Sequence, residues 1–154
     1  MTPAPAADSH APVAAALDVA RRVIGDEAAA LQRLAASFGT GADGANTFDD
    51  VVAALRAAPQ VIVSGLGKSG NIAQKIAASL TSTGTPACFM HPVEALLSGL
   101  GIVTDRHCLI VLSRSGNTQE IERFVLHFRR LGGPVIAITQ QPHSRLAELS
   151  AYVL

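Results

Sequence analysis

Two short stretches carry residue types and spacings that can do chemistry: "GLGKSG", residues 65–70, and "SRSGNTQE", residues 113–120. In the first, three glycines surround Lys68 and Ser69 between a β-branched run and an amphipathic one, so a strand bends there into a helix. Glycine, as at Gly67, lets backbone approach a ligand closely, and Ser69 adds a hydroxyl to the unpaired N–H groups of the helix that follows. Such an end favours an anion. The second stretch sets Ser113, Ser115 and Thr118 around Gly116 at the start of another helix, so that hydroxyls and unpaired N–H groups converge again. Thr118 alone would be an ordinary helix cap. Two such loops in one chain point instead to a phosphate on a small, hydroxyl-rich ligand.

Gly65, Gly67 and Gly70 also satisfy G-x-G-x-x-G, the dinucleotide fingerprint. That reading needs an acidic residue at the end of the second strand for a ribose hydroxyl, and "TPACFM", residues 85–90, has none. The P-loop spacing is absent too. We read no cofactor.

The elements that must position these loops are legible from apolar periodicity. Leu17, Ala20, Ile24, Leu31, Leu34 and Phe38 fall at spacings of three, four or seven, which predicts one long helix over 13–38 with an apolar stripe fit to pack on a second subunit. After a glycine-rich loop, 39–46, Thr47 is placed to cap a short helix carrying Val51, Val52 and Leu55. Strands follow at 60–65, 85–90, 107–113 and 134–139. Between them, Ile72, Ala73, Ile76, Ala77 and Leu80 mark one helical face, and Ile121, Phe124, Val125, Phe128 and Leu131 another. "HSRLAELS" reads as a short helix and "AYVL" as the start of a fifth strand. Continuous Val, Ile and Leu runs are strands covered on both faces, which predicts an open α/β fold with a parallel sheet. In such sheets ligands bind at the carboxyl ends of the strands, where both loops fall.

Composition fits one globular domain over 13–154 behind a frayed Pro- and Ala-rich tail, 1–12. Of the 154 residues 49% are hydrophobic, and twelve Lys and Arg balance twelve Asp and Glu. A net charge of zero leaves no field to draw in nucleic acid or an anionic membrane. Cys88 and Cys108 lie in apolar strand-like runs without metal-type spacing, the pattern of buried thiols in a reducing compartment. With no signal peptide and no long apolar span, the expectation is a cytoplasmic protein.

The stretch "GLGKSGNIAQKIAASLTSTGTPACFMHPVEA" followed by "SRSGNTQEI" resembles the sugar isomerase (SIS) domain, above all that of the arabinose-5-phosphate isomerases that feed Kdo and lipopolysaccharide synthesis. The resemblance implies a flavodoxin-like, doubly wound sheet and an aldose–ketose isomerase of phosphosugars working as a homo-oligomer, dimer or tetramer. It implies that Ser113, Ser115 and Thr118 grip the phosphate, that Gly84, Thr85 and His91 contact the substrate, and that Lys68 and Glu120 are catalytic. Moving a proton between C1 and C2 through an enediol needs a base and a stabiliser of charge, and these two residues supply both kinds of group. His91 is also a candidate metal ligand.

Departures from the family pattern accompany the matches. Asn71 stands where the family has histidine, and Leu97, Ser98 and Gly99 stand where it reads "HGD", so a histidine contact has become an apolar side chain. Arg114 replaces Asn or Gln, and Asn117 replaces a common Glu. Two further catalytic positions of the family, a glutamate and a histidine, and its paired CBS modules would lie beyond Leu154, so the domain reads as incomplete at its C-terminal end. The alternative function is a phosphosugar-binding or regulatory protein without turnover.

Overall fold

The computed structural model describes residues 13–37 and 44–154. The predicted tail, 1–12, and Phe38 lie outside the described residues. The chain divides into two units at the boundary between Ala45 and Asn46.

The first unit holds helix α1, Val13–Ser37, which presents Leu17, Ile24 and Leu31 as exposed apolar side chains. Helix α2, Gly44–Ala57, starts a turn earlier than expected, so Thr47 falls inside it rather than at its cap.

The second unit is the α/β layer structure. Strands β1 (Val61–Gly65), β2 (Ala87–Phe89), β3 (Cys108–Leu112), β4 (Val135–Ile138) and β5 (Tyr152–Val153) form one sheet in the order β2-β1-β3-β4-β5. Every pairing is parallel, with Val63 beside Phe89 and Ile110, and Ile136 beside Tyr152. The "AYVL" segment is therefore a fifth strand. Its ends are tied in by the Ala151 N–H donating to the Val135 carbonyl and by the Leu154 N–H donating to the Ala137 carbonyl.

Both faces of the sheet are covered, which is why the strands show no polar alternation. Side chains still alternate by parity. Ile62, Leu109, Val111, Val135 and Ala137 face one way, against Phe124, Val125 and Phe128 of helix α5. Val61, Val63, Cys108, Ile110, Leu112 and Ile136 face the other way, against Ala73 and Ala77 of helix α3 and Val51 of α2. Helix α3 is Gly67–Ser82, and α5 is Gln119–Leu131. Ile72, expected on the buried face of α3, is 55% exposed, because the stripe that meets the sheet runs through Gly70, Ala73 and Ala77 and leaves Ile72 to one side.

Between β2 and β3 the chain runs through irregular helical turns: α4, Pro92–Glu94, a π turn at Ala95–Gly99 and a 3-10 turn at Leu100–Ile102. Helix α6, Arg145–Glu148, follows β4. Among the described residues no helix is long and apolar enough to cross a membrane.

Candidate functional site

The strand order reverses between β1 and β3, and a crevice opens there outside their carboxyl ends. A cavity of about 410 Å³ occupies it. Ser69, Ser113, Ser115 and Thr118 line it, together with Arg114, Gln140 and Gln141. Leu66, Leu112 and Ile121 supply apolar wall.

Two helix N-termini meet at this crevice. The N-cap of α3 is Leu66, which has no side chain able to cap, and the N-cap of α5 is Thr118, whose hydroxyl makes no capping hydrogen bond. First-turn N–H groups of both helices are thus left without side-chain acceptors, where the helix dipoles favour negative charge. Thr118 occupies the cap position through its backbone alone, its carbonyl accepting from the Glu122 N–H at 3.0 Å. The residue itself lines the cavity.

The glycines of the first loop have a structural task more than a ligand-facing one. A Cβ on Gly65 would come within 2.9 Å of the Ser69 backbone, and one on Gly70 within 2.9 Å of the Gly65 carbonyl. Strand end and helix start therefore pack backbone to backbone, which accounts for two members of the apparent dinucleotide fingerprint. Gly67 provides the bend itself, with φ +54.

The serine loop is braced from behind. Ser113 is buried, and its Oγ accepts the Gly116 N–H at 3.1 Å. The N-terminal end of α6 then closes on the loop: the Leu146 N–H donates to the Gly116 carbonyl at 2.9 Å, and the Arg145 N–H to Asn117 Oδ1 at 3.1 Å. Arg145 reaches on to Glu122 at 3.1 Å and Glu148 at 2.9 Å, tying α6 to α5. Those hydrogen bonds, to Glu148 foremost, raise the guanidinium pKa above its ordinary value. Asn117 faces α6 and is part of the brace.

Other predicted residues lie apart from this cavity. Lys68 and Glu120 are exposed in the first turns of α3 and α5, each adjacent in sequence to the converging N-termini, yet neither lines the cavity. His91 follows β2 at its carboxyl end and N-caps α4; its Nδ1 is buried without a hydrogen-bond partner among the described residues. No cluster of three or more His, Cys, Asp or Glu among the described residues is placed to hold a metal, so His91 has no companion ligands there. Gly84 and Thr85 precede β2, at the opposite end of the strands, and line a separate groove with Val52, Leu55 and Arg56 of α2. Gln140 and Gln141 were not anticipated; their signal is position alone, just past the carboxyl end of β4.

Residues 54–154 match the SIS domain family. The chain belongs to it. Within that family, the chain is 38% identical over 135 residues to arabinose 5-phosphate isomerase KpsF of Escherichia coli O6:H1, covering 87% of this chain and 40% of the relative. To KdsD of Pseudomonas aeruginosa it is 41% identical over 133 residues, covering 84% and 38%. It thus spans about two fifths of the length of these curated relatives. Among solved structures, an E. coli CFT073 protein in complex with A5P superposes with a TM-score of 0.79 at 29% identity, covering 91% of this chain and 72% of that one. The sugar isomerase domain of an RpiR transcription factor from Sphaerobacter thermophilus shares the fold, with a TM-score of 0.74 at 20% identity over 86% of this chain and 72% of that one. The SIS sheet of this chain accordingly carries its hydroxyl-lined crevice on a scaffold shared with phosphosugar isomerases.

Proposed function

We propose that residues 13–154 form a phosphosugar isomerase domain that interconverts arabinose 5-phosphate and ribulose 5-phosphate. The observation that carries this reading is the crevice between β1 and β3, where Ser69, Ser115 and Thr118 join two helix N-termini left uncapped by side chains. That combination suits a phosphate, with its dispersed negative charge and acceptor oxygens. The isomerase relatives support the choice of sugar.

In this reading the phosphate sits in the crevice and fixes the register of the open-chain sugar. Glu120 moves the proton between C1 and C2, and Lys68 stabilises the enediolate oxygen or positions the sugar. Both belong to the first turns of the helices whose ends line the crevice, Glu120 one residue from Ile121 and Lys68 one residue from Ser69. His91, at the carboxyl end of β2, contacts the sugar. Gly84 and Thr85 remain proposed substrate contacts; lying at the far end of the strands, they would meet a sugar bound by another copy in a homodimer or tetramer. The protein is cytoplasmic and serves lipopolysaccharide precursor synthesis. No nucleic acid or membrane partner is implied.

A second reading, phosphosugar binding without turnover, is favoured by two observations. Leu97 is 81% exposed and can neither donate nor titrate, and Lys68 and Glu120 stand outside the cavity lining. The experiment is a coupled assay of arabinose 5-phosphate conversion run beside a thermal-shift titration with both sugars. Turnover lost in Lys68→Ala and Glu120→Gln supports the isomerase; stabilisation without turnover supports the binding protein; neither overturns both.

A further inference from the structure

The cavity has one ionisable residue among the described residues that line it, Arg114. Its Nε donates to Oε1 of Gln140 at 2.9 Å. Gln140 is neutral, and among the described residues no carboxylate pairs with Arg114. The contrast with Arg145 is direct: that guanidinium lies between Glu122 and Glu148, so its charge is satisfied within the fold. The backbone of Arg114 is held as well, its carbonyl accepting from Thr139 Oγ1 at 3.4 Å. Gln140 thus fixes one edge of the guanidinium without cancelling its charge. The terminal N–H groups are those of a planar fork suited to two oxygens of one tetrahedral anion.

The other polar groups of the crevice are of a different kind. Hydroxyls of Ser69, Ser115 and Thr118 and backbone N–H groups give direction but carry no full charge. They accept a singly charged tetrahedral ester nearly as well as a doubly charged one. A guanidinium distinguishes the two even at the exposed mouth of the crevice, because its attraction scales with the charge of the ligand.

We infer that Arg114, oriented by Gln140, is a specificity-determining residue that selects ligands whose tetrahedral end is a doubly ionised phosphate. The inference rests on the phosphosugar reading of this crevice and names which of its groups discriminates by charge. Arg114 acts on binding, and Gln140 is a positioning residue.

The test uses the full chain and calorimetric titration with two probes of the same shape: arabinose 5-phosphate, and arabinose 5-sulfate, which carries one charge. Wild type is expected to prefer the phosphate. Arg114→Gln should weaken phosphate binding about tenfold to a hundredfold, the range of a charged hydrogen bond, while sulfate binding changes much less, so that the preference collapses. Arg114→Lys should recover part of the preference, since charge returns without the fork. Gln140→Ala should lower phosphate affinity by a smaller factor and leave a residual preference.

Arg114→Gln with the wild-type preference intact, whether both affinities are unchanged or both fall equally, overturns the inference. A double variant, Ser115→Ala with Thr118→Ala, separates this failure from failure of the underlying reading. If that variant loses phosphosugar binding while Arg114→Gln keeps the preference, only the role of Arg114 falls. If the double variant binds like wild type, or wild type binds neither ester, the phosphosugar reading falls and the inference with it.

Discussion

Gly116 and Ser144 occupy each other's space so closely that a side chain on the first would overlap Oγ and Cβ of the second. Gly116 has φ +64, and Ser144 is buried at the N-cap of α6, its Oγ accepting from the Ala147 N–H. The turn of the serine loop and the start of α6 are therefore one packed unit.

Gly116→Ala meets both obstacles, overlap and positive φ, and should destabilise the chain by about 1–3 kcal/mol. Ser144→Gly in the same chain removes the overlap but not the backbone strain, so it should recover only part of the loss. Urea unfolding of the two variants checks this. Equal stability of Gly116→Ala and wild type would show that the loop is not held as described.

Ser113 and its neighbours differ in what their hydroxyls do. Ser115→Ala with Thr118→Ala removes exposed or half-buried cavity hydroxyls and should abolish stabilisation by sugar phosphates while shifting the unliganded melting temperature little. Ser113→Ala instead leaves the buried Gly116 N–H without its acceptor, at a cost of about 1–3 kcal/mol. Thermal melts with and without arabinose 5-phosphate separate the two effects.

Burial pushes the Cys108 thiol from its free value of 9.0 up to about 11, and raises that of half-buried Cys88 as well. The folded chain then holds the Cys108 proton more tightly than the unfolded one. This contribution to stability is fully present below pH 9.0 and is lost as pH climbs towards about 11. Denaturant midpoints should fall over that window, and fall less in Cys108→Ala. At pH 8 a thiol reagent should leave Cys108 unlabelled until the chain unfolds.

The strands were legible because apolar runs in a doubly covered sheet need no polar alternation, and α5 because Ile121, Phe124, Val125 and Phe128 all turn to the core as their spacing requires. The hydroxyls of the crevice were legible from residue type. Less so were residues whose part depends on tertiary contact. The pairing of Gly65 with Gly70 reads in sequence like a ligand motif, although the geometry is backbone packing. Gln140 and Gln141 carry no motif, and only the neighbouring position of β4 in the sheet brings them to the crevice. Gly84 and Thr85 resemble family site residues, but the parallel register sends them to the other end of the strands. The turns over 92–102 lack helical periodicity, so nothing in their spacing announces them.

The last prediction concerns α1. Leu17, Ile24 and Leu31 recur at seven-residue intervals along it, and Ile24 and Leu31 are 66% and 68% exposed. Seven-residue spacing keeps apolar side chains on one seam, which suits packing against another helix. A seam left to solvent would expose apolar area that burial stabilises by roughly 25 cal/mol per Å². The chain should therefore sediment as a dimer or larger assembly at micromolar concentration. Ile24→Glu with Leu31→Glu should shift it towards monomer, because two carboxylates on the seam resist desolvation. Charges at these positions leave the sheet and the crevice residues unaltered in sequence, so arabinose 5-phosphate binding through Ser115 and Thr118 should persist in the variant. A wild-type chain that sediments as a monomer at that concentration would refute a self-association role for α1.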